Sequence, residues 1–412
     1  QGVDGDQQGA TQQNKIDEII VTATKRAGGT SLQDTAMAIS ALGGDTIDKR
    51  GLAGMDDYLR TLPGVNFQDR GAGQNSVVIR SVAVDPQIEE ATVGVYFGET
   101  PLLGLKGSGT NGQGGNADLK LVDIERIEVL RGPQGTLYGS GSMGGTVRVI
   151  PNKPNLSEVQ GKLATRYSQT GERGGDNSMV QAVLSVPLIE DTLAIRGVAY
   201  RFDNSGYIDN VAASQAPVGL FTDAIAVGGV ARDHDEAGSD EYTGFRLTAL
   251  WQPVDNLDIS LAHTQQEIDQ NGQPEANLAS AGGYRQTRLG VGVGGVDHES
   301  LANDIDITNL VINYDLGWGT ITSSSSWVDY QSISNSDVSV ISGGLGFFTG
   351  LPSAGAYYNH GVRNTDKFTQ ELRLASQLEG PFQYVAGLYY EDSESDALQT
   401  WMWSGAVLAD PN

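Results

Sequence analysis

The chain has 412 residues, enough for two or three ordinary domains, and a formal net charge of −25 from 26 Lys and Arg against 51 Asp and Glu. This balance argues against a nucleic-acid partner, because nucleic-acid affinity depends mainly on Lys and Arg neutralising phosphates. Cysteine is absent, which excludes disulfides and thiolate metal sites within the chain, and no apolar run of about 18 residues predicts a membrane-spanning helix.

A short apolar island, Glu18–Ala23, lies near the start of the chain between two polar stretches. The flanking stretches predict disorder over residues 1–33. Neither Met nor an apolar leader precedes Gln1, which predicts a removed signal or a cut edge. Because β-branched residues between flexible flanks are not expected to pair with themselves, the island is either a strand that adds to a partner's sheet edge or the first strand of the next domain.

Residues 34–155 predict a compact α+β domain. The best helix signal is Met55–Leu62, with Asp56 and Asp57 in its first turn and Pro63-Gly64 at its end. Short strand-like segments recur on both sides of it, at residues 38–42, 64–68, 76–80, 93–97, 126–131 and 146–150.

From residue 156 onward, segments of about ten residues alternate apolar with polar or small side chains, as the strands of a membrane barrel do. In Val180–Val186 the even-numbered residues are apolar, and in Phe245–Trp251 the odd-numbered ones are. Nine such strands are predicted, joined by connections that mostly alternate between short and long, which is typical of an outer-membrane barrel with its long loops outside the cell. Because a plugged barrel has roughly 22 strands and an open sheet edge is unstable in lipid, the predicted barrel is larger than the part in this chain.

A series of motifs resembles the TonB-dependent receptors. It starts with Asp17–Thr24, which is similar to the TonB box, and continues through residues 33–154 in the order of the family's plug domain. The motifs are Gln33-Asp34-Thr35-Ala36, Leu62-Pro63-Gly64-Val65, Val78-Ile79-Arg80, Val93-Gly94-Val95-Tyr96, Asp123–Val129, Arg131–Gly139 and Ile150–Pro154. The sequence departs from the family at Ser81, where Gly is usual, and at Phe97–Thr100, where acidic residues are frequent.

The resemblance implies an α+β plug domain inside a transmembrane antiparallel β-barrel of about 22 strands, roughly nine of them in this chain. The implied divisions are a disordered N-terminus at 1–33 with the TonB box at 17–24, a plug domain at 34–155, and an incomplete barrel at 156–412. The implied location is the outer membrane of a Gram-negative bacterium, with extracellular long loops and a periplasmic N-terminus.

The resemblance also implies a function. Members import a scarce nutrient such as a ferric siderophore or a saccharide, using the inner-membrane proton gradient through TonB, ExbB and ExbD. The alternative is a ligand-sensing or adhesive barrel without transport. Expected partners also include a small-molecule ligand, outer-membrane lipid and lipopolysaccharide, and a surface lipoprotein or other outer-membrane protein is left open.

Three groups of site residues follow from the resemblance. The TonB-binding residues are Asp17, Glu18, Ile19, Ile20, Val21, Thr22 and Ala23. Arg80 and Arg131 are expected to pair with barrel glutamates, for which Glu371 is a candidate. Phe97, Glu99 and Thr100 are expected in plug loops that face the substrate.

Other chemistry finds little support in the sequence. Two G-x-G-x-x-G strings, at residues 107–112 and 139–144, lack the strand–turn–helix context of a dinucleotide site, so no cofactor is expected. The four histidines are not at metal-ligand spacing, and no catalytic constellation occurs, so the chain is not expected to be an enzyme. The acidic stretch 233–241 is either a solvated loop or a Ca²⁺ site.

The charge of two long connections suggests a ligand class. Asn204–Asp240 has six carboxylates and one arginine, and Asp269–Ala302 has four carboxylates and two arginines. Because an acidic mouth repels anions at range, we hypothesise a neutral ligand or one that arrives with a cation.

Overall fold

The computed structural model describes most of the chain between Ile20 and Trp403. The described residues are 20–26, 28–33, 35, 37–69, 71–82, 92–102, 104–105, 115–139, 141–171, 173–211, 233–275, 285–286, 299–337, 357–380 and 382–403. None of the helices in these ranges has the length and apolarity needed to cross a membrane.

The first two strands form a small antiparallel pair, β1 (Ile20–Val21) with β2 (Thr30–Ser31). The described part of the apolar island therefore pairs with the flanking stretch that follows it and not with itself. Gly28 and Gly29 have φ values of +71° and +72°, a conformation that lacks a penalty only for glycine, and they turn the chain back onto the island. A Cβ at Gly29 would lie 2.7 Å from Ile20 Cγ2, so the turn also requires glycine for its close approach.

Residues 37–155 form the predicted α+β domain. Its described residues form three helices, α1 (Gly44–Arg50), α2 (Met55–Leu59) and α3 (Gly135–Tyr138). Its strands are β3 (Ile39–Gly43), β4 (Val65–Asp69), β5 (Asn75–Ile79), β6 (Val93–Phe97), β7 (Thr100–Pro101), β8 (Gly104–Leu105), β9 (Gly115–Asn116), β10 (Ile124–Arg131) and β11 (Gly145–Pro151).

Two sheets organise this domain. Five strands pair in the order β3-β10-β11-β6-β7, with β11 and β6 parallel, and four pair in the order β4-β5-β9-β8. Ile127 and Val129 of β10 and Val147 of β11 have no solvent exposure and lie in the main hydrophobic core. The two central strands therefore carry the apolar core of the domain.

Helix α2 is shorter than the predicted Met55–Leu62. Its start is as expected, because the Asp57 carboxylate accepts the backbone N–H groups of Ala53 and Gly54. It ends at Leu59, where the backbone changes to a turn in which the N–H and hydroxyl of Thr61 both bond the Tyr58 carbonyl oxygen. The helix was predicted at the correct place, but residues 60–62 belong to the turn before Pro63 and not to the helix.

The second half of the chain forms the predicted nine strands in one antiparallel sheet. The remaining strands in chain order are β12 (Gln160–Gln169), β13 (Asp176–Ile189), β14 (Leu193–Asn204), β15 (Ile208–Val211), β16 (Asp233–Ala237), β17 (Ser239–Val254), β18 (Leu257–Asn271), β19 (Arg285–Gln286), β20 (Ser300–Asp315), β21 (Gly319–Asp337), β22 (Tyr357–Ser376) and β23 (Val385–Trp403). The sheet order is β12-β13-β14-β17-β18-β20-β21-β22-β23, and β16-β15-β19 form a separate small sheet. Among the described residues, β12 and β23 are the two edges of the nine-stranded sheet.

The two faces of the nine-stranded sheet differ as the alternation predicts. In β13, Val180 and Leu184 are exposed, while Gln181, Val183 and Ser185 between and beside them are buried. The buried face packs on the α+β domain, since Ile305, Ile307, Val328 and Tyr330 belong to the same hydrophobic cluster as the domain core. The exposed face carries apolar and aromatic side chains, including Phe245, Leu247, Trp251 and Trp327.

Several strands extend further than predicted at the end of the sheet that carries the long connections. The alternating pattern predicts strands at residues 319–330 and 367–377, whereas β21 continues to Asp337 and β22 begins at Tyr357. The added residues, such as Gln331–Asp337, are mostly polar and show no apolar alternation, but their backbone ladder with β20 and β22 continues. The apolar pattern predicts the part of a strand that faces lipid, whereas the ladder needs only backbone groups.

Candidate functional site

The described part of the N-terminal segment, Ile20–Lys25, lies against the α+β domain. The side chains of Val21 and Ala23 are fully buried, and the Tyr138 hydroxyl donates a 2.6 Å hydrogen bond to the Ala23 carbonyl oxygen. Residues 17–19 of the predicted TonB box lie outside the described residues. The rest of the predicted box is held by the domain that follows it.

Thr22 connects the segment to a buried ionic cluster on β10 and β11. Its backbone N–H donates to Glu128 Oε1 at 2.8 Å, and its hydroxyl accepts from Arg126 Nη2 at 2.9 Å and from Arg148 Nη1 at 2.8 Å. Glu128 has no solvent exposure and forms ion pairs with the same two arginines. Because a buried carboxylate is stable only with such partners, Thr22 completes an arrangement that the domain needs.

Lys25 connects the segment to the nine-stranded sheet. Its Nζ lies 2.6 and 2.9 Å from the two carboxylate oxygens of Glu371 on β22. Arg373 binds the same carboxylate at 2.8 Å and reaches Glu99 of the α+β domain at 3.2 Å. Glu99 lies 2.9 Å from Arg148. These contacts form one ion-pair network, here called the N-terminal network, made of Lys25, Glu99, Arg126, Glu128, Arg148, Glu371 and Arg373.

The charges of the N-terminal network control the protonation of its buried groups. Burial lowers the pKa of Lys25, and the carboxylates of Glu371 and Glu99 oppose this effect. Burial alone would raise the pKa of Glu99, but the guanidinium groups of Arg148 and Arg373 outweigh burial and hold that pKa below its usual value. Glu99 is therefore ionised at neutral pH and balances the two arginines.

A second buried contact, here called the Asp123 clamp, fixes the domain to other strands of the sheet. Arg196 of β14 donates to both carboxylate oxygens of Asp123, at 2.7 and 2.5 Å. Arg246 of β17 donates to the carbonyl oxygens of Val122 and Asp123 at 3.1 and 2.9 Å and lies 3.3 Å from the Asp123 carboxylate. Asn152 adds a further hydrogen bond at 2.9 Å. Burial would raise the pKa of Asp123, but the hydrogen bonds and charges of the two arginines lower it overall.

Residues just before the clamp also bond to the sheet. Gln266 of β18 bridges the backbone of the domain, since it accepts from Lys120 N at 2.9 Å and donates to the Asp118 carbonyl oxygen at 2.7 Å. Tyr242 of β17 donates to the Asp118 carboxylate at 2.6 Å. Residues 118–123 thus have no strand of their own but are bonded at several points to β14, β17 and β18.

The predicted anchoring arginines have different surroundings from those expected. Arg131 donates to the Pro63 carbonyl oxygen at 3.1 Å, and Arg80 is exposed, with its guanidinium beside Gly132. Within the described ranges neither forms an ion pair, so their pairing with barrel glutamates stays a prediction. Glu371 does lie at the boundary, but its partners are Lys25 and Arg373.

Phe97, Glu99 and Thr100, which are expected in plug loops that face the substrate, lie where the domain meets the nine-stranded sheet, and their contact with a substrate stays a prediction. Phe97 is buried in the hydrophobic core, and Thr100 is fully buried with its hydroxyl 3.0 Å from that of Ser326 on β21. Glu99 belongs to the N-terminal network. Phe97 and Thr100 are buried because the tight turn at Gly98 (φ +61°) returns the chain directly into β7, which lies against the nine-stranded sheet.

Sequence reasoning missed the residues that join the domain to the sheet, namely Lys25, Asp123, Arg196, Arg246 and Arg373. The sequence did contain a signal for the three arginines of the nine-stranded sheet. Arg196, Arg246 and Arg373 occupy strand positions whose neighbours carry the outward apolar side chains, so the alternation places them on the buried face. A charged residue on that face requires a partner inside the sheet.

The described residues line at least two cavities between the domain and the sheet. The larger, of about 630 Å³, borders β22 and β23 and is lined by Lys25, Tyr96, Tyr138, Arg363, Lys367 and Arg373 among others. The smaller, of about 190 Å³, includes Asp56, Asp118, Lys120 and Tyr242. In the smaller cavity Lys120 Nζ lies 3.5 Å from the centre of the Tyr242 ring, a cation–π contact.

Metal ligation gains no support from the geometry of the described residues. Within the described ranges no group of three or more His, Cys, Asp or Glu side chains is arranged to hold a metal ion. The side chains of Asp233 and His234 lie outside the described residues, so the Ca²⁺ alternative for residues 233–241 stays open.

Comparison with known proteins gives one family match and several partial relatives. The family described as TonB-dependent Receptor Plug Domain matches residues 31–146. The pesticin receptor of Yersinia pestis is 25% identical over 162 residues, which cover 38% of this chain and 22% of that protein. The probable TonB-dependent siderophore receptor PirA of Acinetobacter baumannii is 28% identical over 191 residues, covering 44% of this chain and 24% of that protein. The matched region is thus about a quarter of the length of these curated relatives.

Solved structures share the fold over most of the chain. The ferric yersiniabactin uptake receptor FyuA of Yersinia pestis superposes with a TM-score of 0.69 at 19% identity, covering 90% of this chain and 50% of that one. The ferripyoverdine receptor of Pseudomonas aeruginosa superposes with a TM-score of 0.62 at 17% identity, covering 94% and 46%. This chain therefore spans about half of those structures, and the likeness establishes a plug domain with part of an antiparallel barrel.

Proposed function

Because the chain belongs to the TonB-dependent receptors of the Gram-negative outer membrane, we propose that the protein imports a scarce small nutrient by an energy-coupled mechanism. The family consists of receptors and transporters rather than enzymes, as the sequence predicted. In this proposal the long connections lie outside the cell and the N-terminal segment lies in the periplasm. The nutrient class we propose is a metal chelate, since the relatives named above include siderophore receptors.

One observation carries the proposal: the N-terminal segment is bonded to both bodies of the molecule. Thr22 contacts Glu128 inside the plug, and Lys25 contacts Glu371 on the barrel strand β22. A force applied to this segment acts on the plug and, through Lys25, on its contact with the barrel. That is the mechanical property an energy-coupled importer requires.

The proposed coupling uses addition of a TonB strand to residues 17–23. Strand addition offers several backbone hydrogen bonds that are loaded together, and it needs free N–H groups in the receiving segment. The described pairing of β1 with β2 covers only two residues on each side. Such a short pairing is weak enough to be exchanged for a longer one with TonB, which would draw on the proton gradient through ExbB and ExbD.

The proposal is tested by Ile20→Pro in the full-length protein, with Ile20→Thr as the matched control. Proline removes the N–H of residue 20, whereas threonine keeps it together with the β-branched shape. A strain lacking the gene is complemented with each variant and grown on a panel of ferric chelates and saccharides. We expect a nutrient that supports growth with the wild type and with Ile20→Thr but not with Ile20→Pro, at equal amounts of protein in the outer membrane.

Two outcomes would contradict the proposal. Growth of the Ile20→Pro strain at the wild-type rate would remove the TonB-box assignment. Binding of a ligand at the cell surface, with no nutrient in the panel depending on the gene, would instead favour a sensing or adhesive barrel without transport.

A further inference from the structure

The inner face of the barrel sheet carries a polar group of side chains near the long connections, here called the Asn359 patch. It is made of Asn303 on β20, Ser334 on β21 and Asn359 on β22. These side chains lie on the same face of the sheet as Ile305 and Tyr330, which pack on the plug. The patch therefore lies inside the barrel, at the end of the sheet that the proposed orientation puts outside the cell.

Several polar atoms of the patch have no hydrogen-bond partner in the part of the chain that the structure describes. Asn359 has no solvent exposure, and both its Oδ1 and its Nδ2 are unbonded. The hydroxyl of Ser334, which is 1% exposed, and the Oδ1 of Asn303, which is 5% exposed, are also unbonded. Buried polar groups nearly always have a partner, because they otherwise lose the hydrogen bonds that they make to water in the unfolded chain. A partner from outside the chain is therefore expected at this patch.

A neighbouring asparagine shows how the same sheet bonds an amide that has a structural role. Asn335 follows Ser334 on β21 and is buried as well. Its Nδ2 donates to the Ser300 hydroxyl at 2.9 Å, and its Oδ1 lies 2.8 Å from Nδ1 of His360. Both polar atoms of Asn335 thus have partners on adjacent strands, which distinguishes it from the amide of Asn359.

An aromatic ring borders the patch. Trp401 of β23 lies directly opposite Asn359 in the β22–β23 pairing, so the two side chains share a face, and Trp401 is 41% exposed. Gly361 lies opposite Ser334 and adds no side chain. Arg363, the next inward residue of β22, has interactions with other residues. The side chains of the patch are uncharged, so a charged group of a ligand would lose its water there without gaining a counter-ion from them.

The unbonded atoms of the patch match hydroxyl groups better than carboxylates. The amide of Asn359 offers donors and an acceptor, the Ser334 hydroxyl can do either, and Asn303 Oδ1 only accepts. A ligand hydroxyl both donates and accepts, so hydroxyl groups can bond every one of these atoms. A carboxylate only accepts, and it would leave the two amide oxygens without a donor. The flat indole of Trp401 can cover the apolar C–H face of a sugar-like ring.

We propose that the Asn359 patch binds a neutral, hydroxyl-rich part of the imported ligand, with Trp401 packed on the apolar face of that part. The inference rests on the proposed import function and specifies its ligand class. Two sources carry this chemistry, namely a metal-free oligosaccharide and a neutral metal chelate that bears hydroxyl groups. The acidic outer connections favour the same class, since a neutral ligand is not repelled by them at range.

The test compares Asn359→Leu with the matched control Asn335→Leu in the purified full-length protein. Binding is measured by isothermal titration calorimetry with three groups of probes: the neutral trisaccharides of glucose, xylose, mannose and galactose; the neutral hydroxyl-bearing ferric hydroxamate ferricrocin; and the anionic catecholate ferric enterobactin. We expect binding of a trisaccharide or of ferricrocin, and the group that binds identifies the source. Asn359→Leu should raise the Kd about tenfold, because hydrogen bonds to the ligand are lost, whereas Asn335→Leu should leave the Kd unchanged.

Thermal unfolding of the two variants without ligand separates a binding role from a structural one. Asn359→Leu removes a buried amide that has no partner, so the midpoint should stay the same or rise. Asn335→Leu removes two existing hydrogen bonds and should lower the midpoint. A midpoint lowered by Asn359→Leu would assign its amide a structural role, including one filled by an ordered water, and would overturn the proposal.

Three binding results would also overturn the proposal. They are binding of ferric enterobactin alone, a Kd that Asn359→Leu leaves unchanged, and no binding of any probe. The measurements use purified protein without TonB or a proton gradient. They therefore remain interpretable even if the growth experiment contradicts energised import.

Discussion

Replacing Asp123 by Asn tests whether the plug depends on the Asp123 clamp for its position in the barrel. The carboxylate is shared by Arg196 and Arg246, and all three side chains are at least nine-tenths buried. Asn has nearly the same shape and tolerates the positive φ of +56° at this residue, so the change removes charge without adding backbone strain. Two buried guanidinium groups would then lack their counter-ion.

The magnitude follows from the contacts that remain. Breaking a buried ion pair by removing one partner costs about 3 to 5 kcal/mol. Arg246 keeps its hydrogen bonds to the carbonyl oxygens of Val122 and Asp123, which places the expected loss near the lower limit. A loss of about 3 kcal/mol raises the population of the detached segment by roughly a hundredfold.

The assay is hydrogen–deuterium exchange of the full-length protein, followed in peptides that cover residues 118–127. The matched control is Asp48→Asn, because Asp48 also pairs with a barrel cation, Lys162, but both of these side chains are substantially exposed. An exposed pair contributes at most about 1 kcal/mol, so the control should exchange almost as the wild type does. If Asp123→Asn and Asp48→Asn changed exchange equally, the argument that burial makes this clamp important would be refuted.

Two further predictions concern the same contacts. Tyr138→Phe removes the hydrogen bond to the Ala23 carbonyl oxygen and should lower the free energy that holds the N-terminal segment on the domain by about 1 kcal/mol. Hydrogen–deuterium exchange of residues 20–25 should then be roughly fivefold faster. Tyr96→Phe is the control, because its hydroxyl bonds the Tyr138 carbonyl oxygen instead, and it should leave this exchange unchanged. The pKa of Asp123 is lowered in the folded protein from its ordinary value of 3.8, so its stabilising contribution is complete above that pH and is lost as the pH falls through the lower folded value. The difference in exchange between wild type and Asp123→Asn should therefore be constant from pH 7 to pH 5 and shrink below about pH 4; a difference that disappeared near neutral pH would contradict the lowered pKa.

The sequence predicted those features of the fold that depend on local pattern. Val180–Val186 and Phe245–Trp251 show their outward and inward faces directly, and the nine strands and their consecutive antiparallel order follow from such segments and their connections. The β21 residues Ser323–Ser326 are less informative, because a run of one small polar residue carries no alternation. Where the apolar alternation stops, as it does after Tyr330 of β21, the predicted strand ends although the backbone pairing continues to Asp337.

The contacts between plug and barrel could not be predicted in the same way. Lys25 and Glu371 are 346 residues apart, and Asp123 and Arg196 are 73 apart. Which residues meet depends on how the plug is rotated inside the barrel, and no local pattern encodes that rotation. The turn at Gly28-Gly29 is a smaller example, since its glycines were visible but the pairing of Thr30–Ser31 with the apolar island was not foreseen.

There is a physical reason why the barrel supplies the cations, and the plug the acceptors, at the Asp123 clamp. At the Asp123 clamp the long side chains belong to the barrel and the short acceptor belongs to the plug, the reverse of the pairing expected for Arg80 and Arg131. An arginine that projects inward from a strand can reach several acceptors at once, as Arg246 does with two carbonyl oxygens and a carboxylate. Backbone carbonyl groups are available only where the plug chain runs without strand pairing, as residues 118–123 do. An inward arginine on an alternating strand therefore requires acceptors opposite it, and at Arg246 an irregular segment of the plug supplies them.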